Sequence, residues 1–215
     1  MRVPRSVLVV GASFLSLLLL SPARAQSSEK PRRLHLGVGA DVLEALGNEC
    51  VQPVDGAADC ERGATLLQFS FSASFRVAPY FSIGGRFAAA SRNTDVGGIH
   101  APRHGAIWQL SIEPRFYPGG QRRVSPFVGL ALGYGSFRET SAEVPERTTH
   151  GSLLVGGVIG ADFALNDWLA LSPEVRLLRM DFAPSASERS DGHSTYYPGK
   201  AWFSVGAQLV ALLPV

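Results

Sequence analysis

The chain has 215 residues, 46% of them hydrophobic and only 18% charged, with 23 Gly and 14 Pro. That length suits one domain, the hydrophobicity excludes disorder, and so much glycine argues against a coiled coil. The formal net charge of +2 is no nucleic-acid signal: residues 1–25 hold Arg2, Arg5 and Arg24 and no acid, so a chain starting at Gln26 has 17 basic against 18 acidic residues, net −1.

Residues 1–25 have the anatomy of a secretory signal. Arg2 and Arg5 form the positive start, Val7 to Leu20 the apolar stretch, and Ala23-Arg24-Ala25 a small-x-small cleavage site. The apolar run is short and interrupted by Ser and Gly, which favours a cleaved signal over a membrane anchor. No Cys follows it to carry a lipid. Export makes Cys50 and Cys60 a plausible disulfide. Two thiols ten residues apart without neighbouring His or Cys are a poor metal site. The expected organisation is a signal peptide over 1–25, a short segment over 26–32 and one domain over 33–215.

Past residue 25, no apolar run suits a membrane-spanning helix; the pattern is instead alternation of period 2, the signature of strands. Residues 34–43 set Leu34, Leu36, Val38 and Val42 against His35, Gly37, Gly39 and Asp41. In 66–77, Leu67, Phe69, Phe71, Ala73, Phe75 and Val77 oppose Gln68, Ser70, Ser72, Ser74 and Arg76. Phe81, Ile83 and Phe87 oppose Ser82, Gly84, Arg86, Ala88 and Ala90 in 81–90, and Trp108, Leu110, Ile112 and Phe116 oppose Gln109, Ser111, Glu113, Arg115 and Tyr117 in 107–117. Weaker versions run through 126–137, 151–165, 168–179 and 201–213. Eight strands of roughly 10–13 residues exceed the usual soluble strand and match a tilted bilayer crossing. The joints alternate too. Ala78-Pro79-Tyr80, Pro118 to Val124 and Asn166-Asp167 are short turns, whereas 44–65, 92–105, 138–150 and 180–200 are long and polar. Short turns at one end and long loops at the other are the habit of outer-membrane barrels.

The less apolar face, mostly Gly, Ser and Ala with isolated charges, is a poor solvating surface but fits the narrow lumen of an eight-stranded barrel. The Phe, Leu, Ile and Val face then meets lipid. Phe75, Phe81, Phe116, Phe163 and Trp168 fall by the short turns, and Trp108, Tyr134, Phe137 and Phe203 towards the long loops, as two interfacial girdles would. The sequence predicts an all-β, transmembrane, eight-stranded antiparallel up-and-down barrel with short periplasmic turns and four long extracellular loops.

On this rhythm, and on phrases such as Pro126-Phe-Val-Gly-Leu-Ala-Leu-Gly-Tyr134 and Trp168-Leu-Ala-Leu-Ser-Pro-Glu-Val-Arg176, residues 33–215 resemble the eight-stranded outer-membrane barrel superfamily of the OmpA, OmpX and OmpW type. The resemblance implies the outer membrane as location, its lipid and lipopolysaccharide as surroundings, and the outer-membrane assembly machinery as a partner. Barrels of this kind usually end in an aromatic residue; this chain ends Pro214-Val215, keeping only the outward parity. Pro114 and Pro173 fall inside strands, where each removes a ladder hydrogen bond.

Candidate chemistry is sparse. His150 and Ser152 share a face, and such a His-x-Ser looks like that of lipid A deacylases, but Asp162 lies roughly 33 Å along the strand, too far to orient the His. Glu139 or Glu143 from the preceding loop could supply the acid. The other histidines are scattered without zinc-ligand spacing. The glycines around Gly156 sit in a strand, not a phosphate-cradling turn. No cofactor or metal is expected. Arg76, Arg86, Glu113, Arg115, Asp162, Glu174 and Arg176 all take the inward parity and must pair in a narrow lumen. They are expected to form one shared ion network, with Arg76, Glu113, Arg115 and Asp162 nearest the periplasmic end. The leading functional reading is a non-enzymatic outer-membrane protein acting through its loops on an unnamed external partner; a narrow or gated pore is the alternative, and a lipid A-modifying enzyme trails both.

Overall fold

The computed structural model describes residues 34–46, 48–53, 59–62, 65–94, 103–120, 122–141, 148–182, 185–189, 192–197 and 200–214. The expected leader, the segment 26–32, Val215 and Glu143 lie outside them. The described residues form twelve strands: β1 (Leu34–Leu46), β2 (Asn48–Pro53), β3 (Asp59–Arg62), β4 (Thr65–Ala78), β5 (Phe81–Thr94), β6 (Arg103–Phe116), β7 (Val124–Ser141), β8 (Thr148–Ala164), β9 (Leu169–Met180), β10 (Ser185–Arg189), β11 (Gly192–Tyr197) and β12 (Ala201–Leu213). No helix among them is long and apolar enough to cross a membrane, which says nothing of a crossing by strands.

Eight strands close a barrel in the order β1-β12-β9-β8-β7-β6-β5-β4, with β4 returning to β1 and every neighbour antiparallel. Closure removes the sheet edges, so the barrel's ladders pair backbone groups that lipid could not. The strands run longer than the sequence suggests, up to 18 residues in β7, and the extra length lies at the end away from the short turns. There the β-ladder continues through polar residues that carry no alternating signal.

Alternation sorts the side chains. Phe69, Leu153 and Ile112 are 60% or more exposed on the outside, while Asp41, Gln68 and Glu174 are almost fully enclosed within. Phe75, Phe116, Tyr80 and Trp168 stand out near the short turns, and Trp108 lies between Phe87 and Tyr134 nearer the other end, ring centroids 6.5 and 5.7 Å away. Phe137 departs from the expected girdle: its parity in β7 turns it inward, where it is 3% exposed and packs on Phe182.

Pro114 and Pro173 each sit where one ladder is interrupted. Registered pairing between β6 and β7 skips Glu113 and Pro114, and pairing between β8 and β9 skips Ser172 and Pro173. On their other sides Pro114 pairs with Ile83 and Pro173 with Ala207 without a break. The missing N–H therefore falls at a gap in one ladder only.

The long connections are not all irregular. β2 and β3, from the connection after β1, and β10 and β11, from the one after β9, form a separate four-stranded sheet in the order β10-β11-β2-β3. The first and last long loops are thus joined by the β11–β2 ladder, which sets Tyr197 opposite Cys50 and Ser194 opposite Pro53.

Candidate functional site

A barrel this narrow has two places for function, its lumen and its loop end. The lumen is filled in layers. At mid-height, Arg86, Arg115 and Arg176 and the acids Asp41, Glu113 and Glu174 form one linked cage of balanced charge. Each guanidinium is held by two carboxylates. Arg176 donates through both terminal nitrogens to Glu113, at 2.6 and 2.9 Å, and through Nε to Glu174 at 2.8 Å. Arg115 Nη2 donates to Glu113 and Glu174 at 2.8 and 3.1 Å. Arg86 bridges Glu174 and Asp41. Glu174 also accepts from Gln208 Nε2 at 2.9 Å, and Glu113 from Ser111 Oγ at 2.9 Å.

The geometry follows from sequence spacing. Glu113 with Arg115 and Glu174 with Arg176 are i, i+2 pairs, so each puts an acid and a base side by side on one face of its strand. Planar guanidinium forks then link the two strands across the lumen. Burying these charges is costly, and the mutual pairing offsets that cost.

Below the cage, towards the short turns, Arg76 pairs with Asp162 at 3.8 Å, and Asp162 accepts from Ser172 Oγ at 2.7 Å. Arg76 lies over the ring of Tyr117 at 3.9 Å, and Arg115 over that of Phe127 at 4.5 Å. A small polar cavity remains here between His35, Ser72, Ser74 and Tyr117.

Above the cage the lumen turns apolar. Leu43, Leu66, Ile107, Leu154, Leu178 and Trp202 belong to one enclosed cluster that also takes in Phe137, Met180 and Phe182. Gln68 and Gln109 lie between cage and cluster by position along their strands.

The expected lumen residues are thus divided rather than shared. Arg86, Glu113, Arg115, Glu174 and Arg176 meet in the cage, whereas Arg76 and Asp162 form their own pair nearer the short turns. Sequence reasoning left out Asp41. Four inward arginines against three inward acids left one positive charge over, and Asp41 carried the inward parity in β1. The apolar cluster was also missed. Its inward residues fall at the loop-side strand ends, where alternation gives way to side chains apolar on both faces.

His150 and Ser152 do not assemble a catalytic pair. Ser152 Oγ donates to the Leu153 carbonyl at 3.0 Å, and His150 Nε2 is enclosed without a hydrogen-bond partner. No group of three or more His, Cys, Asp or Glu among the described residues could hold a metal ion. In the loop sheet, Cys50 and Cys60 are direct partners in the β2–β3 ladder. Opposed residues of an antiparallel pair have Cα atoms about 4.5–5.5 Å apart, within the span a disulfide needs.

Residues 12–207 match the outer membrane protein beta-barrel domain. No curated protein sequence matches the chain. Among solved structures, the chain resembles OprG from Pseudomonas aeruginosa at 17% identity, covering 85% of this chain and 97% of that one, with a TM-score of 0.60. It also resembles Neisserial surface protein A at 13% identity, covering 83% and 97%, with a TM-score of 0.55. At such identities the likeness concerns the fold.

Proposed function

Because the chain belongs to the outer membrane protein beta-barrel domain family, we propose that it is delivered to the outer membrane by a cleaved leader and acts there without catalysis, through the ordered sheet of its loops. The observation that carries this reading is the contrast between the two ends of the chain's architecture. The lumen is closed twice over, by an ion cage and by an apolar plug, while the first and last long loops are tied into one sheet at the barrel's outer mouth. A protein whose interior is sealed presents its variable chemistry on its surface.

The lumen's packing argues against a solute pore, since ions would have to displace both paired charges and close-packed rings. The bonding of Ser152 to its own strand argues against a nucleophile activated by His150. Lipid, lipopolysaccharide and the assembly machinery remain its expected partners in the envelope, with the external partner unnamed.

Trimming the loop sheet tests this reading. Replacing residues 48–62 and 185–197 by short Gly/Ser turns leaves a barrel that still resists detergent until heated, and removes whatever adherence or aggregation the intact protein confers on cells displaying it. A trimmed barrel that retains that phenotype in full contradicts the reading.

A further inference from the structure

The periplasmic rim is more ordered than a set of separate turns. The Tyr117 amide donates to the Tyr80 carbonyl at 2.9 Å, tying the β6–β7 turn to the β4–β5 turn. The Ala164 amide donates to the Arg123 carbonyl at 2.8 Å, tying the same turn to the end of β8, and the Leu212 amide donates to the Trp168 carbonyl at 2.8 Å. Within the β6–β7 turn, Ser125 Oγ accepts from the Arg122 amide at 2.9 Å and donates to the Arg122 carbonyl at 3.0 Å. The backbone of Arg122 is therefore held to Ser125 and that of Arg123 to β8.

Their side chains are not spent on the protein. Both residues are exposed, and neither makes an ion pair among the described residues. The one acid on the adjoining turn is Asp167. The same rim carries outward aromatic rings: Trp168 is 62% exposed, and Tyr80 meets Phe116 edge-on at 6.5 Å. Aromatic rings of this kind settle at the headgroup level of a bilayer, which puts the neighbouring guanidiniums at the depth of the phosphates. Two arginines whose backbone is held at the rim, without ion pairs among the described residues and level with the headgroups, complement a negative surface.

We infer that Arg122 and Arg123 form a contact site for anionic phospholipid headgroups of the periplasmic leaflet, selecting a phosphatidylglycerol-like lipid over a zwitterionic one around this side of the barrel. The site anchors the rim laterally and fixes its depth. Guanidinium suits the task because its fork takes two phosphate oxygens at once. A basic residue near an anionic surface gives about a fivefold preference in binding at moderate salt.

Trp168 reports on this rim directly. The protein carrying Trp108→Phe, which removes the other lipid-facing tryptophan, is reconstituted in phosphatidylcholine vesicles containing a minor share of brominated lipid. Trp202 lies in the lumen, where lipid does not reach it. Brominated phosphatidylglycerol is expected to quench Trp168 several-fold more efficiently than brominated phosphatidylcholine at equal content, and 0.5 M salt is expected to reduce the difference. In the Arg122→Gln, Arg123→Gln variant, with folding checked by heat-modifiable migration, the preference disappears. An Arg179→Gln control on β9, at the opposite end of the barrel, keeps it. Equal quenching by both lipids, or a preference that survives the double substitution, overturns the inference.

Discussion

Removing the Glu174 carboxylate strikes the most connected group in the lumen. It accepts from Arg86, Arg115, Arg176 and Gln208, and its side chain is fully enclosed. In Glu174→Gln the cage keeps three guanidiniums and only the carboxylates of Asp41 and Glu113, so one buried cation is left uncompensated. Breaking a buried pair in this way costs about 3–5 kcal/mol. With a urea slope of ~2–3 kcal/mol per molar, the unfolding midpoint in lipid vesicles should fall by about 1–2.5 M. A second substitution separates charge from packing. Arg115→Met added to Glu174→Gln restores the balance, because the remaining charges stay paired, Arg86 with Asp41 and Arg176 with Glu113. The double variant should be more stable than Glu174→Gln alone, since replacing a buried pair by apolar groups is often nearly neutral. A Glu174→Gln midpoint within about 0.3 M of the wild type, or a double variant that is weaker still, would refute the cage as the source of the penalty.

Glu113→Ala should cost nearly as much as Glu174→Gln and Asp41→Ala less, because Asp41 pairs with Arg86 alone within the cage; the order of urea midpoints checks this. Gly133→Ala should destabilise by about 1–3 kcal/mol, since a Cβ there would meet the Leu110 carbonyl oxygen at 1.9 Å. Gly157→Ala, with nothing within 4 Å of a Cβ, should leave the same midpoint unchanged. A Cys50–Cys60 bond closing about ten residues restricts the unlinked chain by roughly 2.5–3 kcal/mol. Thiol titration without reductant should therefore find no free thiol, and Cys50→Ser should raise protease cleavage in residues 48–62 while the barrel stays inserted. The intact protein should migrate faster on gels before boiling than after, and should fractionate with membranes.

The barrel was legible because its strands obey one rule along most of their length. In β4, Leu67 to Val77 are apolar at every second position and polar or small between, and the structure turns those faces outward and inward accordingly. The rule weakens where it meets residues apolar on both faces. Leu153 and Leu154 are neighbours in β8, the first 78% exposed and the second enclosed, and hydropathy alone does not say which is which. That is why the luminal plug did not stand out. The loop sheet left still less trace: Asp59-Cys-Glu-Arg62 and Ser185-Ala-Ser-Glu-Arg189 are short, polar strands of two hairpins that only the β11–β2 ladder, between residues far apart in sequence, joins into one sheet. Charge, by contrast, was informative even where incomplete. A lumen holding four arginines had to contain four acids, and the inward position of Asp41 was already visible in the alternation of β1.

The central claim is that the barrel crosses the membrane but does not conduct through its lumen. Single-channel recording on the protein inserted into planar bilayers tests it most directly. The wild type should insert without steady ionic current. Glu174→Ala should stay silent as well, because the apolar cluster of Leu43, Phe137, Leu154 and Trp202 closes the lumen independently above the cage. Only the combination with Trp202→Ala and Phe137→Ala should open it. A steady, repeatable conductance step from the wild-type protein would contradict the sealed lumen, and with it the assignment of function to the loops.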